Sequence, residues 1–251
     1  MVKTAINYSR TIFIPDIHAP FCDTMALEAM YCFIKWWKPE TIIYLGDVVD
    51  FYAVSHFIRD PERSLKLQDE LDEAKSILSH VRRLCPTAKT YFIKGNHEAR
   101  LQKYLWSQAK ELSSLRTLKL ENQLDFTDLK IEYIESGIMK YKGLIVKHGN
   151  LVRKYAGYTA RGEFEKTGMS GVSGHTHRAC TYYHCNENDS FVWMESGCLC
   201  KLDAEYLDGQ TPNWQQGFGI GYFKENSKRF LLEFVPIINK KALYGGLEFH
   251  L

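Results

Sequence analysis

The sequence predicts an α/β protein, a partly parallel sheet with helices on its faces and a second sheet packed against it, on three observations. Short apolar runs rich in β-branched and aromatic residues recur at 11–15 (TIFIP), 41–45 (TIIYL), 90–94 (TYFIK), 144–147 (LIVK) and 171–173, as buried strands do. Helical periodicity fills the gaps between the first three. The last third turns strand-rich, with runs at 191–195, 219–223 and 229–235. Strand–helix–strand order implies parallel pairing with helices on the sheet faces, and the late strands imply a second sheet packed on the first.

Each helical stretch has its own reason. Residues 24–37 carry apolar side chains at Met25, Leu27, Met30, Phe33, Ile34 and Trp37, and Pro39 closes the run, because proline lacks the donor and clashes with the preceding turn. Residues 62–84 place Leu67, Leu71, Ala74, Leu78 and Val81 on one face. Asp69, Glu70, Asp72, Glu73 and Lys75 are then expected on a solvated face. The pattern over 98–120 is broken and predicts two short helices, part of a cap-like helical insertion over about 98–141. No repeat, low-complexity tract or linker divides the chain, so a single domain over 1–251 is expected.

Composition narrows the class. Hydrophobic residues make up 45% of the 251 and charged residues 25%, which excludes a disordered chain, a fibre and a disulfide miniprotein. With 32 Lys and Arg against 30 Asp and Glu the net charge is +2. No global field therefore selects nucleic acid, and only a local basic patch could. The seven cysteines are an odd number, no secretory pattern opens the chain, and no apolar run is long enough to span a bilayer. The expectation is a cytoplasmic protein with reduced thiols and no membrane partner. Oligomeric state is not legible.

The chemistry lies just after the strands. Asp16 and His18 follow the first, Gly46, Asp47 and Asp50 the second, and Gly95, Asn96, His97 and Glu98 the third. His148 and Gly149 follow 144–147, and Gly174, His175 and His177 follow 171–173. Any one of these is ordinary turn chemistry. Five consecutive strand ends bearing ligand-type residues are not, and in open α/β sheets such ends converge on one site. Asp16 and His18, and again His175 and His177, are spaced by two, so an extended backbone turns each pair to one side. Two carboxylates, an amide oxygen and four imidazoles exceed the needs of one tetrahedral ion and suit two ions sharing a carboxylate. Ligands of oxygen and imidazole without thiolate fit Mn²⁺, Fe or Zn²⁺ and admit others, and two Mn²⁺ are the expectation.

In this order and spacing, Asp16-x-His18, Gly46-Asp47-x-x-Asp50, Gly95-Asn96-His97-Glu98, His148-Gly149 and Gly174-His175-x-His177 resemble the calcineurin-like metallophosphoesterase superfamily. The stretch Trp214-Gln215-Gln216-Gly217-Phe218 is similar, more weakly, to a group often encoded by phages and prophages, which would put the protein in the host cytoplasm. The resemblance implies a β-sandwich flanked by helices with two metals at one end. It implies that Asp16, His18 and His177 hold the first metal, that Asp47 bridges, and that Asn96, His148 and His175 hold the second. His97 is then the acid or charge stabiliser at the leaving oxygen, and Asp50 orients His97 or a metal ligand from behind.

The implied reaction is hydrolysis of a phosphate ester. Two cations neutralise its oxygens and lower the pKa of a shared water, whose hydroxide attacks phosphorus in line, while an imidazole assists the departing oxygen. A phosphodiester in nucleic acid or a nucleotide is the expected substrate. The alternative is phosphoprotein. Ser/Thr phosphatases of this superfamily continue the second block with Arg-Gly, whereas Asp50 here precedes Phe51 and Tyr52, so an expected phosphate clamp is missing. A binding module that had lost catalysis would lack a ligand, and none is missing. Arg100 and Arg178 are candidate substrate-binding residues, since a guanidinium matches phosphate oxygens; Arg153, Lys154 and Arg161 are weaker ones. Cys180, Cys185, Cys198 and Cys200 could form a thiolate zinc site but lack a CxxC pair. The five tryptophans are expected in the core or cap.

Overall fold

The computed structural model describes residues 8–56, 66–203, 212–227 and 229–251. The first sheet contains β1 (Tyr8–Ile14), β2 (Thr41–Tyr44), β3 (Lys89–Ile93) and, further along, β4 (Ile131–Ile134), all mutually parallel. The second contains β5 (Ile138–Tyr141), β6 (Leu144–Lys147), β7 (Gly171–Ser173), β8 (Ala179–Cys185) and β9 (Ser190–Ser196). The chain then returns to the first sheet through β10 (Gly217–Lys224), which pairs antiparallel with β1, followed by β11 (Phe230–Ile238), β12 (Lys241–Tyr244) and β13 (Leu247–Phe249). The orders are β13-β12-β11-β10-β1-β2-β3-β4 and β5-β6-β7-β9-β8.

Helices α1 (Thr24–Trp37) and α2 (Leu67–Leu84) supply the apolar stripes for the outer face of the first sheet. Asp23 starts α1 by accepting the amides of Met25 and Ala26, as an N-cap aspartate does. Strand alternation then sorts side chains into layers. Ile12, Ile14, Ile42, Tyr44 and Phe92 meet the helices. Phe13, Ile43, Leu45, Tyr91 and Ile93 point the other way, onto Leu144, Val146, Val172 and Met194 of the second sheet. Helix α5 (Tyr158–Thr167) covers the far face of that sheet, where Ala160 packs with Ile145 and Trp193. The result is a helix–sheet–sheet–helix sandwich, as the sequence predicts.

Three expectations change. The 98–141 segment is helical only in its first part: α3 (Glu98–Gln108), two short 3-10 turns and α4 (Leu120–Gln123). The rest is β4 and β5, which extend the two sheets; polar residues interrupt both runs and mask them as strands. Residues 62–65 of the second predicted helix lie outside the described residues, and α2 is seen from Leu67. Glu70, expected on the solvated face of α2, is fully buried. Among the described residues no helix is long and apolar enough to cross a membrane.

Candidate functional site

Because β1, β2 and β3 are parallel neighbours in one sheet and β6 and β7 parallel neighbours in the other, five C-terminal ends open on the same edge of the sandwich. Hydrogen bonds from backbone amides tie the loops together across both sheets. The Asp16 carboxylate accepts the His175 amide at 3.0 Å, the Asp47 carbonyl accepts the His18 amide at 2.9 Å, and Asp47 Oδ1 accepts the His97 amide at 2.9 Å. His18, Asp47, His175 and His177 adopt left-handed φ of 53°, 51°, 70° and 56°. Non-glycine residues rarely sit there, and such strain gathers where function fixes side-chain direction. Gly46 is needed in the same loop: its φ is +94° and a Cβ there would lie 2.8 Å from the Gly95 Cα.

The ligand-type atoms fall into two groups. In the first, His18 Nε2 faces His177 Nε2 at 3.0 Å, and His177 Nε2 lies 3.4 Å from Asp16 Oδ1. In the second, His148 Nε2 lies 3.1 Å from Asp47 Oδ2, 2.8 Å from Asn96 Oδ1 and 3.2 Å from His175 Nδ1. Asp47 Oδ2 is also 3.9 Å from His18 Nε2, so Asp47 stands between the groups. Asp16 and Asp47 are nearly inaccessible to solvent.

The far sides of the rings are held by protein oxygens. His148 Nδ1 donates to the Leu45 carbonyl at 2.9 Å, and His18 Nδ1 pairs with Asp50 Oδ2 at 2.9 Å. In the neutral ring each bond fixes the tautomer that leaves a lone pair on Nε2, aimed at the shared space. Two imidazole nitrogens facing each other at 3.0 Å, with buried carboxylates alongside, cannot all satisfy one another by hydrogen bonds. They fit divalent cations, which such a donor set binds in borderline oxygen–nitrogen coordination.

Charge states follow from the same contacts. Burial alone would raise the Asp16 carboxyl, but the His177 hydrogen bond brings it below its usual range. Burial is likewise overcome at Asp47 by His148 and His97, and at Asp50 by hydrogen bonds from His18 and His97, leaving both well below that range. His148, which burial would keep neutral, is pushed up to about 10 by the Asp47 carboxylate. Burial, reinforced by neighbouring imidazoles, pulls His18 and His175 down.

His97 stands at the rim. Its Nδ1 donates to the Asp50 carbonyl at 2.9 Å, and Nε2 is 3.7 Å from Asp47 Oδ2 and accepts from Arg100 Nη2 at 3.0 Å. Burial would lower its pKa, but the charges of Asp47 and Asp50 raise it. Arg100 also binds the Asp50 carbonyl and Oδ1 at 3.0 and 3.1 Å. Asp50 therefore orients both His18 and His97. The cleft over these groups is also lined by Tyr52, Ser55 and Trp214.

Arg100 is brought into the cleft and Arg178 is not. The Arg178 guanidinium donates to the Arg153 carbonyl, and among the described residues its Nε is buried without a partner and it does not line the cleft. The step from His177 onto β8 turns it away from the cleft, toward the Arg153 carbonyl. Trp214, expected in the core or cap, packs edge-on against His177 with ring centroids 4.3 Å apart, and Trp36 and Trp106 are exposed. The four-cysteine zinc expectation fails to assemble. Cys198 and Cys200 are buried behind His177 and form a three-residue ligand-type group with it, while Cys180 and Cys185 stay apart on β8 and, among the described residues, join no such group.

Sequence reasoning missed the residues that hold the loops. Glu98 accepts the amides of Asp47, Val48 and Gly95 at 2.9, 2.8 and 2.8 Å. Burial, with the charge of Asp47, pushes its carboxyl up to about 7 against those donors. Glu195 accepts the Gly157 amide at 2.7 Å and the Thr176 hydroxyl at 2.8 Å, between the two histidines of the last loop. Glu70 accepts the amides of Tyr52 and Ala53 at 2.8 and 2.9 Å. Gln215 donates its amide to the His177 carbonyl at 2.9 Å. Available signals were the acidic residue in the first turn of α3 and the lone charge ending the apolar run 191–195.

A protein of Mycobacterium phage D29 called Gene 54 protein is 29% identical over 254 residues, covering 94% of this chain and 97% of the phage protein. Its namesake from Mycobacterium phage L5 is 26% identical over 249 residues with the same coverage. Among solved structures, Vacuolar Protein Sorting 29 from Cryptosporidium parvum superposes with a TM-score of 0.52 at 12% identity, covering 97% of this chain and 99% of that one, a likeness of fold. The calcineurin-like phosphoesterase family model matches residues 9–226, and the chain belongs to that family and is a phosphoric ester hydrolase.

Proposed function

We propose that the protein is a dinuclear metal-dependent phosphodiesterase acting on nucleic acid or a nucleotide in the cytoplasm, the host's if it is phage-encoded. The observation that carries this reading is the pair of ligand groups divided by Asp47, whose Oδ2 lies 3.1 Å from His148 Nε2 and 3.9 Å from His18 Nε2. In this reading Asp16, His18 and His177 hold one ion, Asn96, His148 and His175 hold the other, and Asp47 serves both. Mn²⁺ is the favoured metal, by its tolerance of mixed oxygen and imidazole ligands. When bound, the two ions supply positive charge to the phosphoryl oxygens and acidify the attacking water.

The side chains do the rest. Asp50 holds the His18 ring in its ligand tautomer. His97 and Arg100, joined at 3.0 Å, present a polarised pair to the anion at the cleft rim. His97 is the candidate to protonate or stabilise the departing oxygen. A phosphomonoesterase acting on phosphoprotein is the second reading, and one observation favours it: Arg100 supplies a cleft guanidinium that the Asp50-Phe51 sequence lacks.

The test is Asp47→Asn, read by elemental analysis and by turnover of bis-p-nitrophenyl phosphate with Mn²⁺. Loss of bound metal together with turnover is expected. Wild-type turnover with both metals retained would refute the bridging role. Labelled DNA and RNA, cyclic nucleotides and a phosphopeptide, assayed alongside, identify the substrate class.

A further inference from the structure

We propose that the groove along α3 is a subsite for single-stranded nucleic acid, taking the nucleotides that flank the scissile phosphate. The inference rests on the phosphodiesterase reading above. The groove is continuous with the cleft, sharing Ser55, Asn96 and Arg100 with it. From there it follows Arg100, Lys103, Tyr104, Ser107 and Gln108, a spacing that puts all five on one stripe of the helix. From Arg100 to Gln108 the helix rises about 12 Å at 1.5 Å per residue. That run accommodates roughly three stacked nucleotides at about 3.4 Å each.

The lining has the chemistry of a strand binder. Tyr104 is 43% exposed, so its ring face is open to a base. Lys103 is exposed and has no carboxylate partner among the described residues. Ser107 and Gln108 are neutral hydrogen-bonding groups, and among the described residues no Asp or Glu lines the groove. The pocket on the other flank of α3 mixes Glu98, Glu121 and Glu135 with Lys94 and Lys119. A polyanion leaving the cleft thus meets uncompensated positive charge only on the Lys103 side of the helix, among the described residues. Aromatic faces alternating with cations form the usual platform for single strands, because every base has a π face and every linkage a negative charge. A phosphopeptide would use the lysine and leave the tyrosine face idle.

The experiment uses the full chain. Binding of short labelled oligothymidylate and oligouridylate is followed by anisotropy in EDTA, and hydrolysis with Mn²⁺ is compared with that of bis-p-nitrophenyl phosphate. Tyr104→Ala is expected to weaken oligonucleotide binding about tenfold, the scale of one lost base stack, with Tyr104→Phe restoring it. The ratio of oligonucleotide to bis-p-nitrophenyl phosphate kcat/KM should fall in parallel. Lys103→Ala should flatten the salt dependence of binding by about one phosphate contact. Unchanged binding in both variants, or wild-type protein that binds a phosphopeptide and no oligonucleotide, overturns the proposal. Wild-type hydrolysis of bis-p-nitrophenyl phosphate without oligonucleotide binding overturns the subsite and leaves the phosphodiesterase reading intact. Tyr104-dependent oligonucleotide binding without diester hydrolysis supports the subsite and overturns that reading.

Discussion

Replacing Gly95 by alanine isolates how tightly the two ligand groups depend on one loop contact. A Cβ at Gly95 would lie 2.5 Å from the Asp47 amide nitrogen and 2.7 Å from Glu98 Oε2, and would fall onto the Asp47 carboxylate itself. Ordinary contacts begin near 3.5 Å, so the loops must part by roughly 1 Å. Neither neighbour can give way freely. The Asp47 amide is held by Glu98, and the Asp47 carboxylate by the His97 amide. Overpacking of this kind costs about 1–3 kcal/mol. The displacement falls on the carboxylate that stands between both groups, and metal–ligand distances tolerate only about 0.2 Å.

Metal affinity, measured by competition with a chelator, is therefore expected to fall at least tenfold, about 1.4 kcal/mol, and diester turnover with it. Gly143→Ala is the control. Gly143 has φ +88° with nothing within 4 Å of the added atom, so alanine there strains the backbone and costs stability without touching the site. If Gly95→Ala bound two ions with wild-type affinity and turned over normally, Asp47 would not be positioned by this contact and the argument would be wrong.

Other expectations are more local. His97→Ala should retain bound metal by elemental analysis but lose rate, more for substrates with poor leaving groups than for an aryl phosphate, since only the former need help at the departing oxygen; loss of metal would make His97 a ligand. Arg100→Ala should reduce kcat/KM for p-nitrophenyl phosphate on the order of tenfold more than for bis-p-nitrophenyl phosphate, because the fully ionised monoester carries one more negative charge for the guanidinium to meet; equal losses would remove Arg100 from phosphate binding. Glu70 is raised by burial from its ordinary 4.5 to about 7. The folded state therefore holds its proton more tightly than the unfolded one, and this stabilising contribution is full below pH 4.5 and is lost as pH rises through about 7. Urea midpoints at about pH 5 and about pH 8 should show wild type losing up to about 3 kcal/mol relative to Glu70→Gln over that interval; parallel pH profiles would contradict it.

How much was legible follows from the range of each signal. Strands β1, β2 and β3 are apolar on both faces, because one face meets helices and the other the second sheet, so Ile12, Phe13 and Ile14 are all buried. That makes a continuous run that sequence reveals at once. Strands β4 and β8 lie at the edges of their sheets and carry mixed residues such as Glu132 and Tyr183, so no run marks them. Helix α5 was missed because Gly162 and alternating charges blur its period. The ligand-type residues could be read because each sits directly after a strand, where position and chemistry coincide. Glu70, Glu98 and Glu195 could not be given their roles, since what they bind is backbone amides brought near by tertiary structure. Glu70 was even placed on the wrong face, because five polar residues between 69 and 75 look alike until one of them meets the 52–53 turn. Arg178 was misplaced for a related reason: proximity in sequence to His177 says nothing of which way the next side chain leaves the loop.

These buried glutamates explain how a strained site stays in place. A left-handed φ at His18, Asp47, His175 and His177 costs on the order of 1 kcal/mol or more each, and the four imidazoles and two carboxylates would separate if the loops were free. The loops after β2, β3 and β7 are instead fastened from beneath by carboxylates that provide no ligand, and the loop after β1 is tied to the Asp47 carbonyl through the His18 amide. Glu98 clasps the loops after β2 and β3, Glu195 the loop after β7 together with the start of α5, and Glu70 the turn after Asp50. Each glutamate accepts two to four backbone amides, and at about 1 kcal/mol per bond these offset the strain at the loops they hold. The carboxylates of the site thus divide by partner. Those facing imidazole nitrogens, Asp16, Asp47 and Asp50, have pKa values held down, while those facing backbone amides, Glu70, Glu98 and Glu195, are pushed up by burial. The first set carries the negative charge that attracts cations. The second set bears the cost of burial so that the first can stay where the chemistry needs it.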